Sequence, residues 1–164
     1  MTTPLYIFDL DGTLALIDHR RHILDDKSDP NRWQKFFSAC IHDEPNRPVI
    51  RTLQALRRSG AECWIWSGRS DEVRAQTVEW LCKHGCFGRP TGTLPWWPFG
   101  ATERFRMRKA MDFTPDEVLK RGWLDEMTFS DLSRLNAVFD DRDKVVAMWR
   151  ANGVPCFQVA RGSF

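Results

Sequence analysis

Residues 4–14 read Pro4-Leu5-Tyr6-Ile7-Phe8-Asp9-Leu10-Asp11-Gly12-Thr13-Leu14, and this stretch decides the fold. Its first part, PLYIFD, is an apolar run with the length of a buried strand, and it ends in a carboxylate. Three further runs have the same form. ECWIW (62–66) ends at Ser67-Gly68-Arg69, LNAVF (135–139) ends at Asp140-Asp141, and PCFQV (155–159) lies near the end of the sequence. RFRMR (104–108) is a weaker fifth candidate.

Helical patterns lie between these runs. Asn46 is placed to cap a helix that carries Val49, Ile50, Leu53 and Leu56 at helical spacing and stops at Gly60. Ser70 is placed to cap residues 71–83, with Val73, Trp80 and Leu81 inward and Gly85 at the end. Thr114-Pro115-Asp116-Glu117 has the form of a capping box with Pro at the first helical position. Residues 143–151 place Val145, Val146 and Trp149 on one side, and residues 31–41 form an amphipathic pattern with Trp33, Phe36, Phe37 and Ile41. Strands alternating with helices predict a Rossmann-like, three-layer α/β/α domain with a mainly parallel sheet. Ligands bind such sheets outside the carboxyl ends of the strands, which is where Asp9, Ser67, Asp140 and Asp141 fall.

Two carboxylates one residue apart, followed by Gly-Thr, suit phosphoryl transfer. Asp9 can attack phosphorus, and Asp11 can protonate the leaving alkoxide and then deprotonate water. Gly12 permits a sharp turn, and Thr13 offers a hydroxyl and an amide to phosphate. Two anions facing an anionic substrate demand a hard cation, most simply Mg²⁺, with Asp140 and Asp141 completing its ligands. Taken alone, Asp140-Asp141 reads equally as a helix cap, and Asp-Gly as a common turn.

The run Phe8 to Leu14 resembles the first motif of the haloacid dehalogenase (HAD) superfamily. Ser67 resembles its second motif, Lys120 its third, and Asp140-Asp141 its fourth. Within that superfamily the chain is similar to the 3′-phosphatase domain of phage polynucleotide kinase-phosphatases. That likeness rests on residues 140–164, on Ser67-Gly68-Arg69, on Arg20 and on residues 112–120. The resemblance implies Asp9 as nucleophile and metal ligand, and Asp11 as general acid/base with its backbone carbonyl on the metal. It implies Ser67 and Lys120 on the phosphoryl oxygens, and Asp140 and Asp141 at Mg²⁺. Arg20 and Arg69 match arginines that matter in that domain, and an arginine fork suits a second phosphate or a nucleic-acid backbone. Gly68, Arg108, Asp116 and Arg142 match further polar positions or their neighbours. Plainer readings stand beside these: Arg20 in a solvated basic patch with His19, Arg21 and His22, and Lys120 as a surface partner of Asp116 one turn away.

The whole of 1–164 is expected to be one domain. Residues 14–45 and 88–103 are expected to be insertions too short for a large cap, leaving a site open enough for a polynucleotide end. Trp96-Trp97-Pro98-Phe99, in the second insertion, either stacks on a base or pins its loop to the core. The eight Trp and eleven Phe divide in the same way between core and base-stacking surface. A net charge of +2 does not by itself announce nucleic acid. Five Cys without regular spacing read as reduced thiols of a cytoplasmic protein, and the resemblance implies a bacterial or phage-infected cell. No membrane span, signal peptide or Gly-rich phosphate loop is seen, so a kinase half is not expected in these residues. The expected substrate is a phosphorylated nucleic-acid end or a nucleotide. The alternatives are a small phosphate ester such as a nucleoside monophosphate, and an inactive binding module.

Overall fold

The structure, a computed structural model, describes residues 2–87 and 104–162. The chain enters through β1 (Leu5–Phe8) and a turn, followed by β2 (Ala15–Leu16), α1 (Asp18–Arg21), α2 (Arg32–Ser38) and β3 (Glu44–Pro45). Then come α3 (Arg47–Arg58), β4 (Glu62–Ser70), α4 (Arg74–Lys83) and β5 (Phe105–Arg108). The last part holds α5 (Asp116–Asp125), α6 (Phe129–Arg134), β6 (Leu135–Arg142), α7 (Asp143–Ala151) and β7 (Cys156–Gly162). Five strands form one parallel sheet in the order β5-β4-β1-β6-β7, with β1 at its centre.

The side-chain alternation of the strands divides the core into two layers. Phe8, Cys63 and Ile65 pack with Ile50 and Leu53 of α3 and Trp80 and Leu81 of α4. Leu5, Ile7, Trp64 and Trp66 face the other way, onto Leu124 of α5 and Val145, Val146 and Trp149 of α7. The large aromatics of β4, α4 and α7 are therefore core, as the plainer reading of the composition held.

The central strands run further than their apolar stretches. β4 continues through Ser67-Gly68-Arg69 to Ser70, and β6 through Asp140-Asp141 to Arg142. In both, the register with the neighbouring strand breaks among the polar residues, between Ser67 and Ser70 and between Asp140 and Arg142. Such irregularities re-aim side chains while keeping the backbone in the sheet.

Several local expectations need correcting. Asn46 and Thr114 do not cap their helices with their side chains. Helix α5 begins at Asp116, with Pro115 as its N-cap, because the carbonyl of Thr114 is taken by Arg108 and its amide by Asp112. The pattern over 31–41 splits into α2 and a 3₁₀ turn, Ala39–His42. Ser70 does accept an amide, from Glu72, but it opens a 3₁₀ turn, Asp71–Val73, that leads into α4. Helix α6, capped by Thr128, and the antiparallel pair β2–β3 carry too few apolar residues for periodicity to reveal them.

Residues 17–43 hold only short helices and 3₁₀ turns, closed at their base by β2–β3. The domain thus carries no large cap among its described residues. Residues 88–103, with Trp96, Trp97, Pro98 and Phe99, lie outside the described residues. No described helix is long and apolar enough to cross a membrane.

Candidate active site

Asp9 follows β1 directly, and its amide donates to the Phe139 carbonyl of β6 (2.9 Å), so it remains in the sheet's hydrogen-bond frame. Leu10 then turns the chain sharply, its carbonyl accepting the amides of Thr13, Leu14 and Ala15 (2.9–3.2 Å). Gly12 sits in that turn with φ +89°, and a β-carbon there would collide with the Asp141 carboxylate. The turn therefore requires glycine twice, for its backbone angle and for the approach of Asp141.

Asp9, Asp140 and Asp141 are all buried, and one ligand atom from each falls within 4.8 Å of the others. Lys120, from α5, reaches across the carboxyl edge and donates to Asp9 Oδ1 (2.5 Å) and Asp140 Oδ2 (2.7 Å). The reading of Lys120 as a surface partner of Asp116 is thus overturned: its side chain is buried between two strand-end carboxylates. Trp149 Nε1 (3.5 Å) and the Arg142 amide (3.2 Å) steady Asp140. The Thr13 hydroxyl donates to Asp141 Oδ1 (3.4 Å), so it serves that carboxylate, where sequence had offered it to phosphate.

Three carboxylates and one ammonium leave an excess of buried negative charge. Burial raises the Asp9 carboxyl well above its ordinary value, against the pull of Lys120 and with repulsion from Asp140 and Asp141. Burial and then Asp140 push Asp141 up to about 7. Burial alone would lower the Lys120 ammonium, but Asp140 and Asp9 outweigh it and hold it charged. An all-oxygen donor set that repels itself fits a hard divalent cation, which would remove the repulsion.

Asp11 faces a different environment. Its carboxylate accepts from Arg20 Nη2 (2.7 Å) and from the Arg69 guanidinium, so its side chain stands apart from the three-carboxylate group. Burial would raise the Asp11 carboxyl, but Arg69 and Arg20 hold it down at about 2. In the metal-free site these two carboxyls, two residues apart, are thereby pushed in opposite directions, Asp9 up by burial among acids and Asp11 down by the arginines.

Arg20 and Arg69 are completely buried, which overturns the reading of Arg20 in a solvated patch. Both also bind a carboxylate that sequence reasoning missed. Asp43 accepts from Arg20 Nε (2.7 Å) and Nη2 (2.8 Å) and from Arg69 Nη2 (2.8 Å). It is held in turn by Trp80, whose indole donates to its carbonyl (2.8 Å). Phe36 stacks under Arg20, with the guanidinium carbon 4.1 Å from the ring centre. Charge balance is the signal that could have found Asp43: two buried guanidiniums against one Asp11 require a second acid.

Ser67 is buried, and its Oγ accepts the Arg69 amide (3.1 Å), which fixes the bend of β4. A second ion-pair cluster supports that bend. Arg108 Nε donates to the Gly68 carbonyl (2.8 Å), and Asp116 bridges Arg108 and Arg142. A β-carbon on Gly68 would lie 2.6 Å from the Asp116 carboxylate, so the strand and the start of α5 meet through the missing side chain.

A parallel sheet with a strand-end aspartate, a second aspartate two residues on, a buried lysine and a paired acidic strand end defines a HAD-like fold. The chain belongs to the family of polynucleotide kinase PNKP phosphatase domains, which matches residues 3–164. It is 29% identical to a chain in a structure of the Pnkp1/Rnl/Hen1 RNA repair complex, with a TM-score of 0.71 over 99% of this chain and 44% of that one. A second structure of the Pnkp1/Rnl/Hen1 complex gives 28% identity and a TM-score of 0.70 over 100% of this chain and 48% of that one. The chain thus spans less than half the length of those relatives. A putative phosphatase from Clostridium difficile shares the fold at 13% identity, with a TM-score of 0.59 over 100% of this chain and 89% of that one.

Proposed function

We propose that the chain is a Mg²⁺-dependent phosphomonoesterase that works through an aspartyl-phosphate and removes 3′-phosphates from polynucleotide ends. The observation that carries this reading is Lys120 seated between Asp9 and Asp140 at the carboxyl edge, with Asp11 two residues on in the grip of two arginines. Asp9, Asp140 and Asp141, with the backbone carbonyl of Asp11, would hold Mg²⁺. When bound, the ion offsets the negative charge shared by the carboxylates and the substrate.

Asp9 attacks phosphorus and the P–O bond to the 3′ oxygen breaks, leaving the phosphoryl group on the Asp9 carboxylate. Asp11 gives its proton to the departing alkoxide and later takes one from the water that releases phosphate. In the free site Arg20 and Arg69 hold Asp11 ionised, so it takes up a proton from solvent as substrate binds and before it acts as acid. A phosphate dianion arriving beside it opposes that charge and raises its pKa, which prepares the acid role. Lys120 and Ser67 hold the phosphoryl oxygens, and Lys120 neutralises charge as the transition state forms. Asp43 acts through the arginines as a positioning residue. Arg108, Asp116 and Arg142 brace Gly68 and so set where Ser67 and Arg69 point. We read residues 1–164 as one phosphatase domain, with 14–45 as a flap that delivers Arg20 and 88–103 as a loop insertion.

The 3′-end preference draws support from the family and from relatives found in an RNA repair complex. The lack of a large cap among the described residues also suits a bulky end. The test is phosphate release with Mg²⁺ from matched DNA and RNA oligonucleotides phosphorylated at the 3′ or 5′ end, beside 3′- and 5′-mononucleotides. Fast release from 3′ oligonucleotides that disappears in Asp9→Asn is the expected outcome. Release from mononucleotides alone would move the substrate to small esters, and turnover surviving Asp9→Asn would sink the mechanism.

A further inference from the structure

Resting on the reading of the site as one for polynucleotide 3′ ends, we propose that Met111 and Phe113 form a stacking platform for a base at that end. The loop between β5 and α5, residues 109–115, leaves the carboxyl end of β5 beside Ser67-Gly68-Arg69. Its two large apolar side chains stand in solvent, Met111 79% exposed and Phe113 74%. A single exposed apolar side chain is ordinary. The loop that carries these two is tied through Arg108 to Gly68, next to Ser67, and three of its features give them a use.

The loop is pinned to the phosphate-binding strand. One guanidinium, that of Arg108, donates through Nη1 to the carbonyls of Asp112 (3.1 Å) and Thr114 (2.6 Å), on either side of Phe113. Through Nε the same group donates to the Gly68 carbonyl (2.8 Å). The Ala110 amide donates to Asp71 Oδ1 (2.9 Å), and the Thr114 amide to Asp112 Oδ1 (2.9 Å). An apolar surface held this way loses little freedom when a ligand lands on it.

Met111 is the one described residue other than glycine with positive φ, at 62°. Glycine would make that turn without penalty, because it has no β-carbon to crowd the carbonyl. Keeping Met there keeps a polarizable thioether in solvent, a group that contacts aromatic rings favourably.

The loop's charge also suits a nucleic-acid end. Asp112, its single acid, is turned onto the Thr114 amide, while Lys109 is exposed. A flat ring, a thioether and a cation together match a nucleobase and its backbone phosphate. A base is tied through its sugar to its own 3′-phosphate, so a phosphate seated at Ser67 and Lys120 leaves that base at the rim.

The experiment compares two 3′-phosphorylated oligonucleotides, one ending in an ordinary nucleotide and one in an abasic residue, on the wild type, Phe113→Ala, Phe113→Trp and Met111→Gly. Base–aromatic stacking predicts that the wild type favours the base-bearing end by about tenfold in kcat/KM, carried by KM. Phe113→Ala should bring that ratio to about one, Met111→Gly should lower it, and Phe113→Trp should retain it. A ratio near one in the wild type, or one unchanged in Phe113→Ala, overturns the platform alone. Wild-type silence on both oligonucleotides, with turnover of mononucleotides, overturns the substrate reading and the platform with it.

Discussion

Arg20 and Arg69 bring two positive charges to a place where Asp11 supplies one negative charge, and Asp43 supplies the second. Asp43→Asn would leave buried guanidinium charge uncompensated, at a cost of about 3–5 kcal/mol. Chemical denaturation should show that loss, and turnover should fall with it because Asp11 loses its frame. Asp43 was not legible in the sequence. The FDLDGT stretch announces Asp9 and Asp11 by adjacency, whereas Asp43 follows an irregular segment and meets the arginines only through the β2–β3 closure.

The carboxyls also set two opposite dependences on pH. Asp11 is held at about 2 against an ordinary 3.8, so its contribution to stability is present above about pH 4 and lost as pH falls through about 2. Asp141 is pushed up to about 7 against 3.8, so in metal-free protein its contribution is full below about pH 4 and lost as pH rises through about 7. Urea midpoints measured in EDTA should therefore fall less between pH 5 and pH 8 in Asp141→Asn than in the wild type. Equal slopes would mean that the fold does not strain this carboxyl.

At the scale of elements, the strands were legible because a buried parallel strand is a short apolar run, and its end is where polarity returns. That rule located Asp9, Ser67 and Asp140-Asp141, but it stopped β4 and β6 early. Pairing continues through polar residues where a neighbouring strand still offers partners, and no hydrophobic pattern records this. The start of α5 went astray for a related reason: Thr114 and Asp112 spend their backbone groups on Arg108, a partner distant in the reading of any local cap. Gly68 tests the junction between β4 and α5. Gly68→Ala places a methyl against the Asp116 carboxylate, which two arginines hold still, so overpacking should cost about 1–3 kcal/mol. Combining it with Asp116→Ala should cost less than the sum of the two single changes, as a shared contact requires. Additive losses in urea denaturation would show that the methyl clashes elsewhere.

At the scale of the whole molecule, the sheet gathers five acids and three long cations on one edge, drawn from β1 and the turn after it, residues 17–43, β4, α5 and β6. The apolar layers beneath can form without that edge being satisfied, so the domain carries a local electrostatic debt that a dication relieves. Mg²⁺ binding should therefore stabilise the entire fold. With the ion at a hundred times its dissociation constant, linkage gives about 2.7 kcal/mol. For a domain of this size that corresponds to a rise in Tm of about 5–10 °C. Thermal melts with excess Mg²⁺ against EDTA should show it, and the rise should shrink in Asp140→Asn. Lys120→Met turns the comparison around: without the ammonium the metal-free protein loses the buried counter-charge paired with Asp9 and Asp140, so it should melt lower in EDTA and gain more from Mg²⁺ than the wild type. Its turnover should nonetheless stay depressed by about 10²–10³-fold, because the ion restores charge balance but not a donor on the phosphoryl oxygens. A Mg²⁺ response that is the same in the wild type and both variants would place the ion away from these carboxylates and remove the basis for the proposed chemistry.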